Sequence, residues 1–278
     1  MSPAPAQERY LYSGQTVGAS AHFHRLDDVE NLNHNIPALG ASVLPVTGGL
    51  AKGHAGNYCY MVDYPRHRTL LAVRRIDSSA EGRELPDKYE TEVTAEIESI
   101  HVLEKLHIDL VQLHMLSTFG KSKNKTEPIV STNGNKIQGM RLGNVNVTIA
   151  LDEEPLKSSG SKAQLAAFYK EQTADYRRLH AYRFGTPPDT DELASSHGIH
   201  TYSLVREITL DGPPEEMESM WVEGYSIRWK GFGRIILGEV VVKGNNRQIT
   251  LVRLAMGSNG GGTGSVGCGQ TNGQLGSS

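Results

Sequence analysis

The sequence predicts a mainly β protein, an antiparallel sandwich or jelly-roll-like domain with one inserted α-helix at about 161–182. Roughly ten or more short segments with strand-like patterns are separated by Gly- and Pro-containing turns, a spacing typical of sandwiches and barrels. The clearest segment is a hairpin at 231–257, where two β-branched arms flank Gly244-Asn245-Asn246. The regular strand–helix alternation of a doubly wound α/β fold does not occur in the sequence.

The first arm of this hairpin carries apolar residues at consecutive positions. Strict alternation assigns Ile235, Leu237 and Val241 to one face, and Ile236, Val240 and Val242 to the other. A strand that is apolar on both sides is buried on both sides. We therefore expect one face to meet the core, and the other to meet the opposite part of the same domain or another copy of the chain.

The N-terminal half reads as an extended arm followed by short strands. Residues 1–20 are predicted to be the arm, and the strands after it are expected at 21–26, 41–46, 49–52, 57–62 and 69–76. Residues 90–118 are ambiguous, because leucines at helical spacing overlap a period-two pattern. We favour two strands over a helix there, with a β-bulge accounting for a slip in the alternation at Val111.

A change of period marks the inserted helix. Ser161 can cap it, and large side chains then recur at three- and four-residue spacing until about Tyr182. Strands resume at 198–210 and 220–229, and residues 257–278 form a Gly-rich tail that is flexible by itself. The predicted organisation is thus an N-terminal arm (1–20), a β-rich domain (21–256) and a C-terminal tail (257–278).

Composition restricts the classes of partner. A net charge of −3 over 278 residues gives no general attraction to nucleic acid or to an anionic membrane. No apolar run approaches the length of a membrane span, and the N-terminus lacks signal-peptide features, so we expect a cytoplasmic or leaderless protein. Cys59 and Cys268 are expected to be free thiols, although the sequence leaves their pairing open. Without a P-loop or a nucleophile elbow, no cofactor is predicted.

Histidines provide the candidate metal site. On a strand, His22 and His24 place both imidazoles on one face, and Glu30 could supply a third ligand. A second set comprises His101, His107 and His114, of which His107 shares a strand face with Asp109 and could form a His–carboxylate pair. For both sets, ordinary surface or packed histidines are the competing interpretation.

Aromatic residues provide the candidate ligand-binding site. Trp221, Tyr225 and Trp229 are spaced by four, so on a single strand they would share one side and could stack on a sugar. Ordinary core or interface packing is the alternative.

These observations favour a non-enzymatic structural role. We expect a self-assembling shell, filament or tube subunit that contacts copies of itself through its terminal arms. One alternative is a β module that binds carbohydrate or another ligand, and a further alternative is a metal-dependent enzyme with a His-x-His site.

Overall fold

The computed structural model describes residues 9–26, 29–63, 67–122, 127–153, 156, 199–256 and 262–275. It confirms a mainly β fold built from antiparallel sheets. The predicted helix at 161–182 lies outside the described residues. A four-residue helix, α1 (Pro214–Met217), follows the turn after residue 211. No helix in the described part of the chain is both long and apolar enough to cross a bilayer.

Twenty strands make up the described structure. In chain order they are β1 (Tyr10–Leu11), β2 (Gly14–Leu26), β3 (Val29–Leu39), β4 (Ser42–Val43), β5 (Gly49–Val62), β6 (Arg68–Glu84), β7 (Lys88–Val102), β8 (Leu106–Gly120), β9 (Ile129–Ser131), β10 (Lys136–Gln138), β11 (Met140–Leu142), β12 (Val145–Leu151), β13 (Ile199–Ser203), β14 (Val205–Asp211), β15 (Met220–Glu223), β16 (Ser226–Trp229), β17 (Gly233–Lys243), β18 (Asn246–Met256), β19 (Gly262–Thr271) and β20 (Gln274–Leu275).

Two nine-stranded sheets form a sandwich. Sheet I has the order β14-β12-β11-β8-β7-β6-β5, with β9 and β10 also paired to β8. Sheet II has the order β15-β16-β17-β18-β19-β2-β3, with β13 on β17 and β4 on β2. Strands β2 and β19 of sheet II lie against β6, β7 and β8 of sheet I, and one apolar cluster fills the space between the sheets. A small pair, β1 with β20, lies beside the sandwich strands.

The ambiguous segment 90–118 forms strands, as predicted. It lies in the β7–β8 hairpin, the longest pairing among the described strands. Buried Val93, Ala95 and Ile97 alternate with polar residues that face outward. The segment therefore follows its period-two pattern and not the helical spacing of its leucines. As strands, it buries the alternating apolar residues on one face.

Sheet I is creased along a line that crosses four strands. At Gly56–Asn57, Arg74–Arg75, Glu98–Ser99 and Asp109–Leu110, two successive residues point away from the core, and the alternation then resumes in the opposite phase. The slip predicted at Val111 corresponds to this crease, which the structure places at the two residues before Val111. It is not a bulge of one strand, because each neighbour carries a matching slip and the pairing register continues unbroken.

Sheet II carries the complementary crease. At Gly18–Ala19, Leu237–Gly238, Leu251–Val252 and Val266–Gly267, two successive residues are buried. The two creases lie at the same level, since Gly18 abuts Ile76 and Gly267 abuts Val111, next to the crease of sheet I. The two creases therefore face each other across the core.

This crease corrects the assignment of faces in the 231–257 hairpin. The core side of β17 comprises Ile235, Leu237, Val240 and Val242. Ile236 is buried outside that cluster, and Val241 is only half-buried. Strict alternation is thus the wrong rule here, because the phase changes at Gly238. Most of the apolar residues that strict alternation places on two faces of β17 therefore belong to one core face.

Close approach of the sheets explains glycines on the inner face of β2 and β19. A β-carbon at Gly18 would lie 2.2 Å from Ile76 Cγ2, one at Gly267 2.9 Å from Val111 Cγ1, and one at Gly269 2.6 Å from Leu113 Cδ2. The segment predicted to be a flexible tail instead contains β19, which pairs with β18 on one side and β2 on the other. Backbone pairing orders it, and its glycines make room for the side chains of sheet I.

Candidate functional site

The outer face of sheet II contains the candidate site, a groove of about 670 Å³. A smaller hollow of about 180 Å³ continues it toward Gln15 and Gln270. The outward-facing lining is polar and mostly uncharged, and comprises Ser20, His22, Asn35, Gln248, Thr250, Arg253, Thr263, Ser265 and Cys268. We refer to this surface as the sheet II groove.

Strand pairing assembles the groove from distant parts of the sequence. Ser20, Ser265 and Arg253 form one row across β2, β19 and β18, and the Ser20 and Ser265 hydroxyl oxygens are 3.0 Å apart. In the next row, the Cys268 thiol donates to the Thr250 hydroxyl at 3.6 Å. These side chains face outward because the doubled core-facing positions of the crease shift the alternation between the two rows.

A buried ion pair lies at one side of the groove. Glu239 on β17 is only 1% exposed, and its carboxylate pairs with the Arg253 guanidinium, which is 25% exposed. The Arg253 Nε–H is buried and has no hydrogen-bond acceptor among the described residues. The carboxylate therefore fixes and neutralises the arginine, while the exposed quarter of its side chain lines the groove.

The structure describes the side chains of two of the three predicted metal ligands. His22 and His24 lie on β2 with ring centroids 5.0 Å apart, as expected for neighbours on one strand face. Glu30 lies on β3, where its backbone is paired with Arg25. Within the described ranges, no three His, Cys, Asp or Glu side chains are grouped to hold a metal ion. A metal at His22, His24 and Glu30 stays a prediction.

The predicted aromatic platform does not form. Trp221 on β15 and Trp229 on β16 are separated by the turn that contains Tyr225, and the register pairs Trp221 with Arg228 and Met220 with Trp229. The two indoles therefore point to opposite faces. Trp229 stacks on Phe232 with centroids 5.1 Å apart, whereas Trp221 is 48% exposed. Ligand binding by any one of the three residues stays a prediction, but a shared face is excluded by the turn.

The predicted histidine–carboxylate pair is present on sheet I. His107 Nε2 lies 2.5 Å from Asp109 Oδ1, and His107 Nδ1 lies 3.1 Å from His101 Nε2. Burial lowers the pKa of His101 below its ordinary value, and the neighbouring His107 and Arg141 lower it further. This chain of polar contacts lies at the crease, and His114 belongs elsewhere, with its Nε2 2.9 Å from Glu92.

The rest of the outer face of sheet I is ionic. It forms a groove of about 610 Å³ in which charged and polar side chains contact one another. His54 Nδ1 lies 2.8 Å from Asp77, Gln112 donates to Glu96 at 2.8 Å, and Arg75 pairs with Asp77, Glu96 and Glu98. These charges are paired within the face, whereas Lys52 on the edge strand β5 is exposed and has no ion-pair partner among the described residues.

Sequence reasoning missed the pair of Glu239 and Arg253. A local signal exists for both residues. Glu239 is the single charge within the apolar run of β17, and Arg253 is the single charge within the apolar part of β18. Opposite charges isolated in two neighbouring apolar strands indicate a buried ion pair. The hydroxyl lining has no such signal, because it is assembled from both ends of the sequence.

Comparison with known proteins gives a family without an activity. No curated protein and no solved structure matches the chain. A family model described as a domain of unknown function, DUF8256, matches residues 10–243, from β1 to the end of β17. That range covers most of the chain, including all of sheet I within the described residues. The chain belongs to the DUF8256 family.

Proposed function

We propose that the protein is a non-enzymatic binding module whose sheet II groove takes a neutral, hydroxyl-rich ligand of the carbohydrate class. The observation that carries the proposal is the fixed, charge-neutralised Arg253, whose side chain is 25% exposed, in a groove lined by hydroxyl and amide groups.

Charge balance selects the class of ligand. Glu239 neutralises Arg253, and the other outward residues of the groove are uncharged when His22 is counted as neutral. An anionic ligand would therefore meet no net positive charge. A neutral ligand that offers acceptor oxygens can contact the exposed part of the Arg253 side chain without disturbing the buried pair.

The wall chemistry fits a polyol. A serine or threonine hydroxyl both donates and accepts, and so does a sugar hydroxyl, so the two surfaces can satisfy each other in several orientations. The volume of about 670 Å³ lies in the usual range for small-ligand sites. The small side chains of Ser20, Ser265 and Thr263 leave the floor open to a flat ring.

A groove-filling substitution tests the proposal. The purified protein is screened on a glycan array, and retained glycans are titrated by calorimetry against wild type, Ser265→Leu and Ser79→Leu. Both serines face outward, are half-buried and contact a neighbouring hydroxyl, at 3.0 Å and 2.7 Å. We expect Ser265→Leu to weaken binding at least roughly tenfold by blocking the groove, while Ser79→Leu on sheet I binds as wild type. Absence of any retained glycan, or equal affinity of the two variants, contradicts the proposal.

The self-assembling role stays a second prediction. Its main support is the expectation of free terminal arms and a two-sided apolar hairpin. The segments concerned contribute β2 and β19, which pair with each other within one chain, and the hairpin has one continuous core face. Light scattering of the purified protein tests it, since particles much larger than a dimer would support a filament, tube or shell subunit.

A further inference from the structure

We infer that two copies of the chain pair edge to edge through β5, antiparallel and related by a two-fold axis, so that sheet I continues from one copy into the other. The surface concerned is the outer edge of β5, on the opposite sheet from the sheet II groove. The inference is therefore independent of the proposed glycan binding.

Strand β5 is a long edge with little protection. It runs for 14 residues, contains no proline, and carries one charged residue, Lys52. It pairs with β6 on one side, and no strand in the described part of the chain pairs with the other side. Such edges are normally shortened, charged or covered, because their unpaired backbone groups recruit another strand. Leu50 and Met61 on this edge strand are also 54% and 50% exposed.

The crease fixes the register of an incoming strand. Across sheet I, creased residues lie directly opposite creased residues, as in the row of Gly56, Arg75, Glu98 and Leu110. A strand added to β5 must therefore slip at the same level. A second β5 does so when Gly56 of one copy faces Asn57 of the other, which places the two-fold axis between these residues.

This register also matches side chains by face and by size. On the core side, Ala55 faces Tyr58 of the copy, so a small residue meets an aromatic ring, and Gly53 faces Tyr60. On the outer side, His54 faces Cys59 of the copy and Lys52 faces Met61. Inner residues meet inner residues throughout, which a shift of one position would destroy.

Charge complementarity supports the same arrangement. Lys52 of one copy lies diagonal to Asp63 of the other on the outer face, within reach of a long side chain, and the two-fold axis repeats this contact. Asp63 is exposed, as is Lys52. The proposed partner of this edge is therefore a second copy, with opposite charges at both ends of the paired segment.

A cysteine substitution reads the register directly. In His54→Cys, the new thiol lies opposite the native Cys59 of the copy, within disulfide distance. In the control Leu50→Cys, the thiol lies about 13 Å further along the strand, at roughly 3.3 Å per residue, and is out of reach. Under mild oxidation we expect a cross-linked dimer for His54→Cys and none for Leu50→Cys. The cross-link should disappear in the double variant His54→Cys, Cys59→Ser.

A second pair of variants tests the interface without a cross-link. Met61→Lys would place a new ammonium group opposite Lys52 of the copy at both symmetry-related positions, and Ile129→Lys changes a similarly exposed apolar residue of β9. Sedimentation equilibrium should show a dimer for wild type and for Ile129→Lys. The dimer dissociation constant of Met61→Lys should be at least roughly tenfold higher, because like charges then face each other directly. A monomeric wild type at all concentrations, or equal cross-linking of the two cysteine variants, overturns the inference.

Discussion

The two sheets of the sandwich differ in what each face supplies. Sheet I directs aliphatic side chains such as Ile76, Val111 and Leu113 inward, and covers its outer face with mutually paired charges. On β2 and β19, sheet II directs glycines inward beside the aliphatic core residues of β17 and β18, and its groove carries hydroxyls, amides and the Glu239–Arg253 pair. The strands of sheet I thus fill the space that β2 and β19 leave open, and the outer face of sheet I is more ionic than the sheet II groove.

This difference indicates which outer face has polar groups that can still form hydrogen bonds with a ligand. On sheet I, Arg75 is shared among three carboxylates, so the ionic face satisfies itself. On sheet II, the hydroxyl groups and Arg253 are positioned without saturating one another. A polar surface is a candidate binding site when its groups are ordered but incompletely bonded, and only the second sheet meets both conditions.

The largest expected effect separates the ion pairs of the two faces. Glu239→Gln leaves Arg253 without its counter-charge in a buried setting, and should lower the free energy of unfolding by about 3 kcal/mol. Glu96→Gln removes a half-exposed partner of Arg75, and should cost about 0–1 kcal/mol. Urea unfolding of both variants measures the contrast. Equal losses would mean that the two faces do not differ in this respect.

A second contrast concerns the inner faces. Gly18→Ala would place a β-carbon 2.2 Å from Ile76 Cγ2, so we expect a loss of about 1–3 kcal/mol from overpacking. Gly56→Ala at the crease of sheet I meets its nearest atom, His54 Nε2, at 3.5 Å, and should change stability by less than about 0.5 kcal/mol. Thermal and urea unfolding check both values. If Gly18→Ala proves neutral, sheet II does not supply the space described.

The smallest expected effect tests whether the stability contributed by the ionic face of sheet I depends on pH. Hydrogen bonds from His54 and then from Arg75 hold the pKa of Asp77 below its ordinary value of 3.8. A lowered pKa contributes stability above that value, and the contribution is lost as pH falls through the folded-state pKa. Asp77→Asn should therefore lose less melting temperature between pH 7 and pH 3 than wild type. Glu81→Gln, whose carboxylate lies 3.9 Å from Arg83, serves as the control and should follow wild type.

Much of the fold could be predicted because strand patterning is local. The alternation at Val93, Ala95 and Ile97 identifies β7, and Gly244-Asn245-Asn246 identifies the β17–β18 turn. The crease could not be predicted in full, because it is a property of neighbouring strands. A single strand shows only a slip, as at Val111, and cannot reveal that its neighbours slip with it.

The candidate site was harder to predict, for the same reason. The spacing of Trp221 and Trp229 suggested one strand, but a turn between them reverses the chain. Ser20 and Ser265 give no local signal, and they meet because β2 and β19 are neighbours. The His107–Asp109 contact was predictable, since two residues on one strand face need no tertiary information.

The central position of β19 in sheet II has a consequence for the order of folding. During synthesis, β2 and β3 emerge early and β18 emerges much later, yet the strand that joins them is made after both. Until residues 262–271 are synthesised, no described strand can join β2 to β18, so sheet II cannot be complete. Insertion of this segment of low sequence complexity should therefore be the last step in assembling the sheet, and agents that bind open strand edges should act before it.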